Sequence, residues 1–216
     1  LANMNYNVKL GLVFGRDSLT GIALENFNLL KNQERTFVHV FDCRDVTELE
    51  KNLSSETRII IDCIFGIGFK GSPDEKIEGL LRKVNTLENV ERIAIDIPSG
   101  LTSHKQNGVC FSADHTLTMG AMKLECLFYD GKKNSGEPHV MSIGISDDEF
   151  AVRNEESIFK TEISDIEKSI LSRDVSSNKY TNGKLLLISG SPGLTGATYL
   201  SAQSAIRTGS GAVIAA

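Results

Sequence analysis

Two aspartates stand at the ends of apolar runs, where their carboxylates could bind or activate a ligand. Asp96 lies near the end of the run 91–97, just before a Pro-Ser-Gly turn, and Asp62 lies in the run 58–65, just before a glycine-rich segment. Loops that leave the strand ends of an open α/β sheet converge at one edge, where ligands bind. We therefore predict that the two acids share a site. The alternative for either acid is structural, because strand-end aspartates often cap a turn or a helix start.

The elements that position these acids follow the alternation of strands and helices expected of βαβ units, with a mostly parallel sheet. Strands are predicted over 9–14, 36–41, 58–65 and 91–97, with shorter ones over 113–119, 124–129 and 139–143. Helices are predicted over 21–30, 46–53 and from Pro73 onward, the last with a core face of Ile77, Leu80, Leu81 and Val84. The loops 15–21, 66–72 and 99–108 are then expected to meet at one sheet edge.

A second domain is predicted near the carboxyl end. The polar passage 147–183 indicates a linker with a helix over 163–171, and a new strand begins at Lys184. The turn 190–197 suits either a phosphate cradle or close packing of small residues. We therefore predict domains at 1–146 and 184–216. The first residue is not Met and the last residues resemble a strand, so the natural chain is expected to be longer.

Composition narrows the classes of function. The 216 residues carry a net charge of −5, with 6% aromatic residues and no Lys/Arg block, which disfavours nucleic-acid binding. No apolar stretch reaches the roughly 20 residues of a membrane span, and the first residues do not resemble a signal peptide, so no membrane association and a cytoplasmic location are predicted. The four cysteines and four histidines have no metal-ligand spacing and could meet only through folding.

Three segments in order, residues 62–71, 94–101 and 113–123, resemble the NAD(P)HX epimerase family, also called YjeF N-terminal domains. The tail 183–211 is similar to the opening of an ADP- or ATP-dependent NAD(P)H-hydrate dehydratase. The resemblance implies a Rossmann-like three-layer α/β sandwich with a mostly parallel sheet, followed by the start of a ribokinase-like α/β domain. It further implies a homo-oligomer and a missing set of amino-terminal helices.

The implied activity is repair of hydrated NADH or NADPH. The R epimer is converted to the S form, and the dehydratase of the full chain then removes water at the expense of ADP or ATP. Asp96 is the implied catalytic residue and also contacts substrate, and a potassium ion is implied at Asp17, Asp62 and Ser99. The other implied substrate-binding residues are Arg16, Gly66, Ile67, Gly68, Phe69, Lys70, Gly71, Ser72 and Ala197.

The first loop departs from the family pattern. The family has Gly-Asn-Asn-Gly-Gly-Asp-Gly where this chain has Gly15-Arg-Asp-Ser-Leu-Thr-Gly21. Leu19 adds bulk and Asp17 adds negative charge where the backbone would approach a pyrophosphate. Arg16 could contact a phosphate or be an ordinary exposed arginine. A non-catalytic scaffold, dimerisation or nucleotide-binding module therefore stays open as the alternative, whereas a Rossmann dehydrogenase is disfavoured by the lack of G-x-G-x-x-G.

Overall fold

The computed structural model describes residues 1, 4, 6–32, 37–101, 108–145, 158, 160–169 and 174–216, with the backbone alone at 31, 32 and 169. These residues fall into two compact units, Leu1–Arg153 and Asn154–Ala216. The predicted boundary at 146–147, the residues 102–107 of the third loop, and 170–171 at the end of the predicted helix lie outside the described residues.

The first unit is an α/β structure whose strands all pair in parallel. Its strands are β1 (Val8–Leu12), β2 (Val38–Asp42), β3 (Ile59–Asp62), β4 (Glu91–Ile95), β5 (His115–Met119) and β6 (Glu137–Met141). Its helices are α1 (Gly21–Asn32), α2 (Val46–Asn52), α3 (Glu75–Asn85) and α4 (Tyr129–Asn134), with short 3₁₀ turns at Arg16–Ser18 and Leu124–Cys126.

The strands form two ladders, β1-β2 and β3-β4-β5-β6, rather than the single central sheet that the sequence predicts. In the described residues, the segments that follow β1 and β3 contact each other through side chains, and the two strands share no backbone ladder. The rings of Phe14, after β1, and Phe65, after β3, have centroids 6.0 Å apart. Val13 also packs on the main core cluster. The parallel α/β character is thus confirmed, and the three-layer arrangement stays a prediction.

Helix α3 covers one face of the larger ladder. Asp74 caps it by accepting a hydrogen bond from the Ile77 N–H at 2.9 Å, so Pro73 precedes the helix instead of lying in its first turn. The predicted core face is confirmed, since all four of its residues are buried. The core cluster that joins α3 to β4 and the segment before β5 consists of Ile77, Leu81, Val84, Ala94, Phe111 and Ala113.

The predicted strand over 124–129 is wrong. The chain makes a 3₁₀ turn at Leu124–Cys126 and then begins α4 at Tyr129. A Cβ at Gly131 would lie 1.5 Å from the Glu125 carbonyl oxygen, so the two segments pack backbone to backbone. This close approach buries Cys126 to 2% exposure, and it outweighs the strand preference of the aromatic residues beside it.

The second unit contains α5 (Ile163–Ser169), β7 (Lys184–Leu187), α6 (Gly196–Arg207) and β8 (Ala212–Ala215). Strands β7 and β8 pair in parallel, as a βαβ unit requires. Helix α5 confirms the helix predicted in the polar passage, over its described part. None of the helices in the described residues has the length and apolar character needed to cross a membrane.

Candidate functional site

Asp62 and Ser99 are joined at the carboxyl edge of the larger ladder. The Ser99 N–H donates to Asp62 Oδ2 at 2.7 Å, and the Ser99 hydroxyl donates to Asp62 Oδ1 at 2.7 Å. The same hydroxyl oxygen accepts the Phe65 N–H at 3.0 Å, while the Ile64 N–H donates to Asp62 at 3.1 Å. The ends of β3 and β4 are therefore fastened together by a polar network.

The Asp62 carboxylate is costly to ionise where it lies. The residue is 4% exposed, and burial raises its pKa although the hydrogen bonds from Ser99 and Ile64 oppose that effect. No ion pair among the described residues includes Asp62. Buried hard oxygen atoms of this kind suit an alkali or alkaline-earth cation, whose charge would offset the cost of burial.

Asp96 follows β4 in a left-handed backbone conformation, with φ of 72°. This region is uncommon for any residue except glycine, although Asp and Asn tolerate it, and such conformations cluster at functional sites. The Asp96 N–H donates to the Leu117 carbonyl at 2.8 Å, which fixes the backbone. Its side chain is therefore aimed by the strand ends rather than by a mobile loop.

The Asp96 carboxylate reaches two other elements. Its Oδ2 accepts the Ile67 N–H at 3.0 Å, and its Oδ1 lies 2.8 Å from the Lys123 Nζ. Burial would raise its pKa, but hydrogen bonds from Lys123, Ile67 and the Met119 backbone outweigh burial and lower that pKa. Asp96 is thus an ionised, preorganised carboxylate that accepts the Ile67 N–H, whereas the Ser99 N–H of the following turn donates to Asp62.

Lys123 is the site residue that sequence reasoning missed. It ends the segment 113–123 that carries the family resemblance, yet that resemblance assigned it no chemistry. After β5 the chain bends, and the Lys123 ammonium also donates to the Met119 carbonyl. The side chains of Lys123 and Asp96 are only 12% and 20% exposed, so the pair is largely shielded from water. A lysine 27 positions from an acid gives no sequence signal of its own.

The loop 66–72 borders the Asp96 carboxylate. A Cβ at Gly66 would lie 3.1 Å from Asp96 Oδ2, so the absence of a side chain permits the approach. The Phe69 N–H donates to the Gly66 carbonyl at 3.0 Å, and the Phe65 and Phe69 rings stack with centroids 3.8 Å apart. Gly71 has φ of 98°, a conformation that suits glycine. A compact glycine-rich turn is a suitable phosphate cradle, and the N–H groups of Gly68, Lys70 and Gly71 are its candidate donors, since those of Ile67 and Phe69 already donate within the protein.

The first loop lies beside β2. Arg16 Nη2 donates to the Val40 carbonyl at 3.3 Å, and the guanidinium lies 5.9 Å from the Phe27 ring centroid. The Asp17 side chain is 99% exposed and lies 3.8 Å from Arg44. The structure therefore brings Asp62, Asp96, Ser99 and the loop 66–72 together, but shows no contact of Arg16 or Asp17 with them. Ala197 lies in α6 of the second unit, and its role stays a prediction.

Fold and geometry together define an α/β domain with a candidate ligand site at the carboxyl edge of a parallel ladder. Residues 1–125 match the family described as "YjeF-related protein N-terminus", and the chain belongs to this family.

The chain is also similar in sequence to named enzymes of other organisms. A "Bifunctional NAD(P)H-hydrate repair enzyme" of Leishmania infantum is 32% identical over 164 residues, which are 74% of this chain and 29% of that protein. The "NAD(P)H-hydrate epimerase" of Elusimicrobium minutum is 37% identical over 125 residues, or 54% of each chain. A bifunctional enzyme of Thermofilum pendens is 32% identical over 216 residues, or 98% of this chain and 39% of that protein. The chain thus spans well under half the length of its bifunctional relatives.

Proposed function

We propose that the first unit is an NAD(P)H-hydrate epimerase that converts the R form of hydrated NADH or NADPH to the S form. The observation that carries this proposal is the ionised Asp96 carboxylate, held by Lys123 and the Ile67 N–H beside a glycine-rich turn. Family membership and the names of the relatives support it.

Each part of the site has a role in this proposal. The loop 66–72 binds the substrate phosphates through its N–H groups, which places the hydrated ring near Asp96. The Asp96 carboxylate removes the proton of the ring hydroxyl as the hydroxyl-bearing carbon becomes a carbonyl and its bond to the ring nitrogen breaks, with the bonding electrons moving to that nitrogen. When the nitrogen adds to the opposite face of the carbonyl, Asp96 returns the proton to the oxygen and the other epimer forms. Lys123 keeps Asp96 ionised between turnovers. No net proton is consumed.

A potassium ion fits the chemistry of the donors at Asp62 and Ser99. Burial disfavours the charged form of the Asp62 carboxylate, so a bound cation would offset that cost, and the Ser99 hydroxyl offers a second hard oxygen. When bound, the ion would supply positive charge near the phosphate loop. Asp17, the third ligand implied by the resemblance, pairs with Arg44 in this structure, so its part in the set stays a prediction.

The tail supports a wider proposal for the full-length protein. The Thermofilum pendens alignment runs over 216 residues and so extends far past residue 125. We propose that residues 184–216 begin a dehydratase domain that takes ADP or ATP. In the full-length protein, the S epimer produced by the first unit would then be dehydrated by that complete domain.

The experiment starts from the R epimer of hydrated NADH and measures its conversion to the S epimer by chromatography. The rate of the uncatalysed conversion is subtracted. The Asp96→Asn variant is nearly isosteric and tolerates the left-handed backbone. Its melting temperature should fall by no more than about 12 °C, because the lost ion pair costs about 1–3 kcal/mol, while the rate falls by about 10²-fold or more. The control is Asp130→Asn, which removes an exposed acid on α4 and should leave the rate unchanged.

The second candidate function is a non-catalytic module that binds the dinucleotide. The observation in its favour is the first loop, where Arg16 points toward β2 and α1 instead of the loop 66–72. Saturable binding of the hydrated dinucleotide without any conversion of R to S would establish this alternative. Conversion that Asp96→Asn leaves unchanged would contradict the catalytic assignment of Asp96.

A further inference from the structure

A second cluster of ligating side chains lies at the other end of the larger ladder. His115 is the first residue of β5, and Glu137 is the first residue of β6. His115 pairs with Glu137, and His139 lies two positions further along β6. Because alternate strand residues share a face, all three side chains stand on the same face of the sheet. The cluster is at the amino ends of the strands, away from Asp62 and Asp96, which follow the carboxyl ends.

The spacing of the two imidazoles fits one metal ion. His115 Nδ1 and His139 Nε2 lie 3.2 Å apart. If each nitrogen were about 2.05 Å from an ion, as in zinc sites, they would subtend about 103° at the metal, close to the tetrahedral angle. Glu137 Oε2 is 4.0 Å from each of the same two nitrogens. Its side chain is 71% exposed and so is able to rotate inward to become a third ligand.

Glu91 favours the tautomer that ligation requires. Its Oε1 lies 3.6 Å from His115 Nε2, on the side of the ring opposite to the cluster. A carboxylate there favours a proton on Nε2 and leaves the Nδ1 lone pair facing His139. Metal-bound histidines commonly present their second ring nitrogen to a carboxylate in this way.

A hydrogen bond between the two imidazoles also accounts for their 3.2 Å separation. It does not account for a carboxylate equidistant from both nitrogens, or for a second carboxylate behind His115. The three ligating atoms all lie within 4.8 Å of one another. The His115 and His139 side chains are 37% and 42% exposed, so an ion and a completing water molecule have access from solvent.

We propose that His115, Glu137 and His139 bind one divalent transition-metal ion of the zinc type. Two imidazoles and a carboxylate are donors of intermediate softness, which favour Zn²⁺, Co²⁺ or Ni²⁺ over Mg²⁺ or Ca²⁺. The bound ion bridges the amino ends of β5 and β6. It therefore stabilises the folded chain and is separate from the reaction at the other sheet edge.

The test is calorimetric titration of Zn²⁺ into chelator-treated protein, with Co²⁺ absorption as a second readout. The exposed thiol of Cys63 is removed in every sample by Cys63→Ser, since a thiolate could also bind zinc. One ion per chain, a higher melting temperature with Zn²⁺ and visible Co²⁺ bands typical of low-symmetry tetrahedral sites are expected. His139→Asn should weaken Zn²⁺ binding at least tenfold.

Two further variants are needed, one in case His139→Asn does not fold and one as a control outside the cluster. Glu137→Gln changes an exposed side chain, so it should fold even where His139→Asn does not, and it should also weaken Zn²⁺ binding and alter the Co²⁺ bands. His39→Asn, on β2 in the other ladder, removes an imidazole that stacks on Phe41 and should change neither. The proposal is overturned by unchanged affinity in Glu137→Gln and His139→Asn, by loss of binding in His39→Asn, or by no binding at micromolar protein and metal.

Discussion

At the scale of single residues, the ion pair between Asp96 and Lys123 determines the charge state of the candidate site. Lys123→Met keeps most of the side-chain stem but removes the ammonium. The Asp96 pKa should then rise, because burial raises it and the opposing hydrogen bond is lost. The acid limb of the epimerisation rate should move to higher pH, measured from pH 4 to 9. The exposed Lys132→Met on α4 is the control and should not shift the profile.

Lys123→Met should also change how the free energy of unfolding depends on pH. The folded-state pKa of Asp96 is lowered, so its contribution is present above the unfolded value of about 3.9 and is lost as pH falls through the folded value. Lys123→Met should therefore destabilise the chain by about 1–3 kcal/mol at pH 7 and show a smaller loss of stability on acidification, by urea unfolding. If the parent and Lys123→Met lost equal stability on acidification, the Asp96–Lys123 ion pair would not be the source of this pH dependence.

Much of the residue-scale site was predictable from sequence. Asp62 and Asp96 lie at the same sheet edge because parallel strand ends converge, and that placement follows from the apolar runs alone. The partners of Asp96 were not predictable. Its contact with Ile67 depends on the left-handed backbone at residue 96, and its contact with Lys123 depends on the bend after β5. No residue pattern in the sequence specifies either the left-handed backbone at residue 96 or the bend after β5.

At the scale of elements, the approach of the loop 66–72 to Asp96 depends on Gly66. In Gly66→Ala the new Cβ would lie 3.1 Å from Asp96 Oδ2, so the carboxylate must shift by a few tenths of an ångström. We expect the chain to fold and the rate of epimerisation to fall by about tenfold, because the reacting group is misplaced. Steady-state rates and melting temperatures measure the two effects separately.

Gly79→Ala is the matched control for that change. Gly79 lies inside α3, and a Cβ there would make an ordinary contact of 3.4 Å with Val46. The variant should keep the rate and gain about 0.5–1 kcal/mol of stability, because alanine favours helix over glycine. An unchanged rate in Gly66→Ala would show that the loop does not position Asp96.

Element types were predictable where periodicity and caps agree, as in α3, whose apolar face and Asp74 cap both appear in the sequence. The segment 124–129 was not, because its aromatic residues favour a strand by themselves. Its actual form depends on the contact of Gly131 with the Glu125 carbonyl, which only the folded chain creates. The histidine cluster was likewise not predictable from sequence, because only the register of β5 and β6 in the folded chain brings His115 and His139 together.

At the scale of the whole molecule, a cation beside Asp62 should couple to stability. We expect potassium chloride to raise the melting temperature of the chain more than tetramethylammonium chloride at equal ionic strength. An ion at 100 times its dissociation constant adds about 2.7 kcal/mol. Asp62→Asn should abolish the potassium-specific increment, whereas Asp130→Asn should retain it. Equal melting temperatures in the two salts would exclude a specific potassium site.

The two units should differ sharply in local stability. The first has a buried core, whereas no described residue of the second is buried. Large apolar side chains of the second unit stay exposed, among them Ile188 at 81%, Leu194 at 73% and Leu200 at 63%. A two-stranded sheet with two helices, one of them only seven residues long, buries too little apolar surface to offset the entropy of ordering the chain.

Amide hydrogen exchange measures this difference directly. Amides of β7, α6 and β8 should exchange at nearly unprotected rates, while those of α3, β4 and β5 should be protected by several orders of magnitude. Consistently, residues 184–216 should not dehydrate the S epimer with ADP or ATP by themselves. They need further protein to cover Ile188, Leu194 and Leu200, and a longer chain that extends past residue 216 should protect the same amides. Strong protection of β7 and β8 in the 216-residue chain would show that the second unit is already complete.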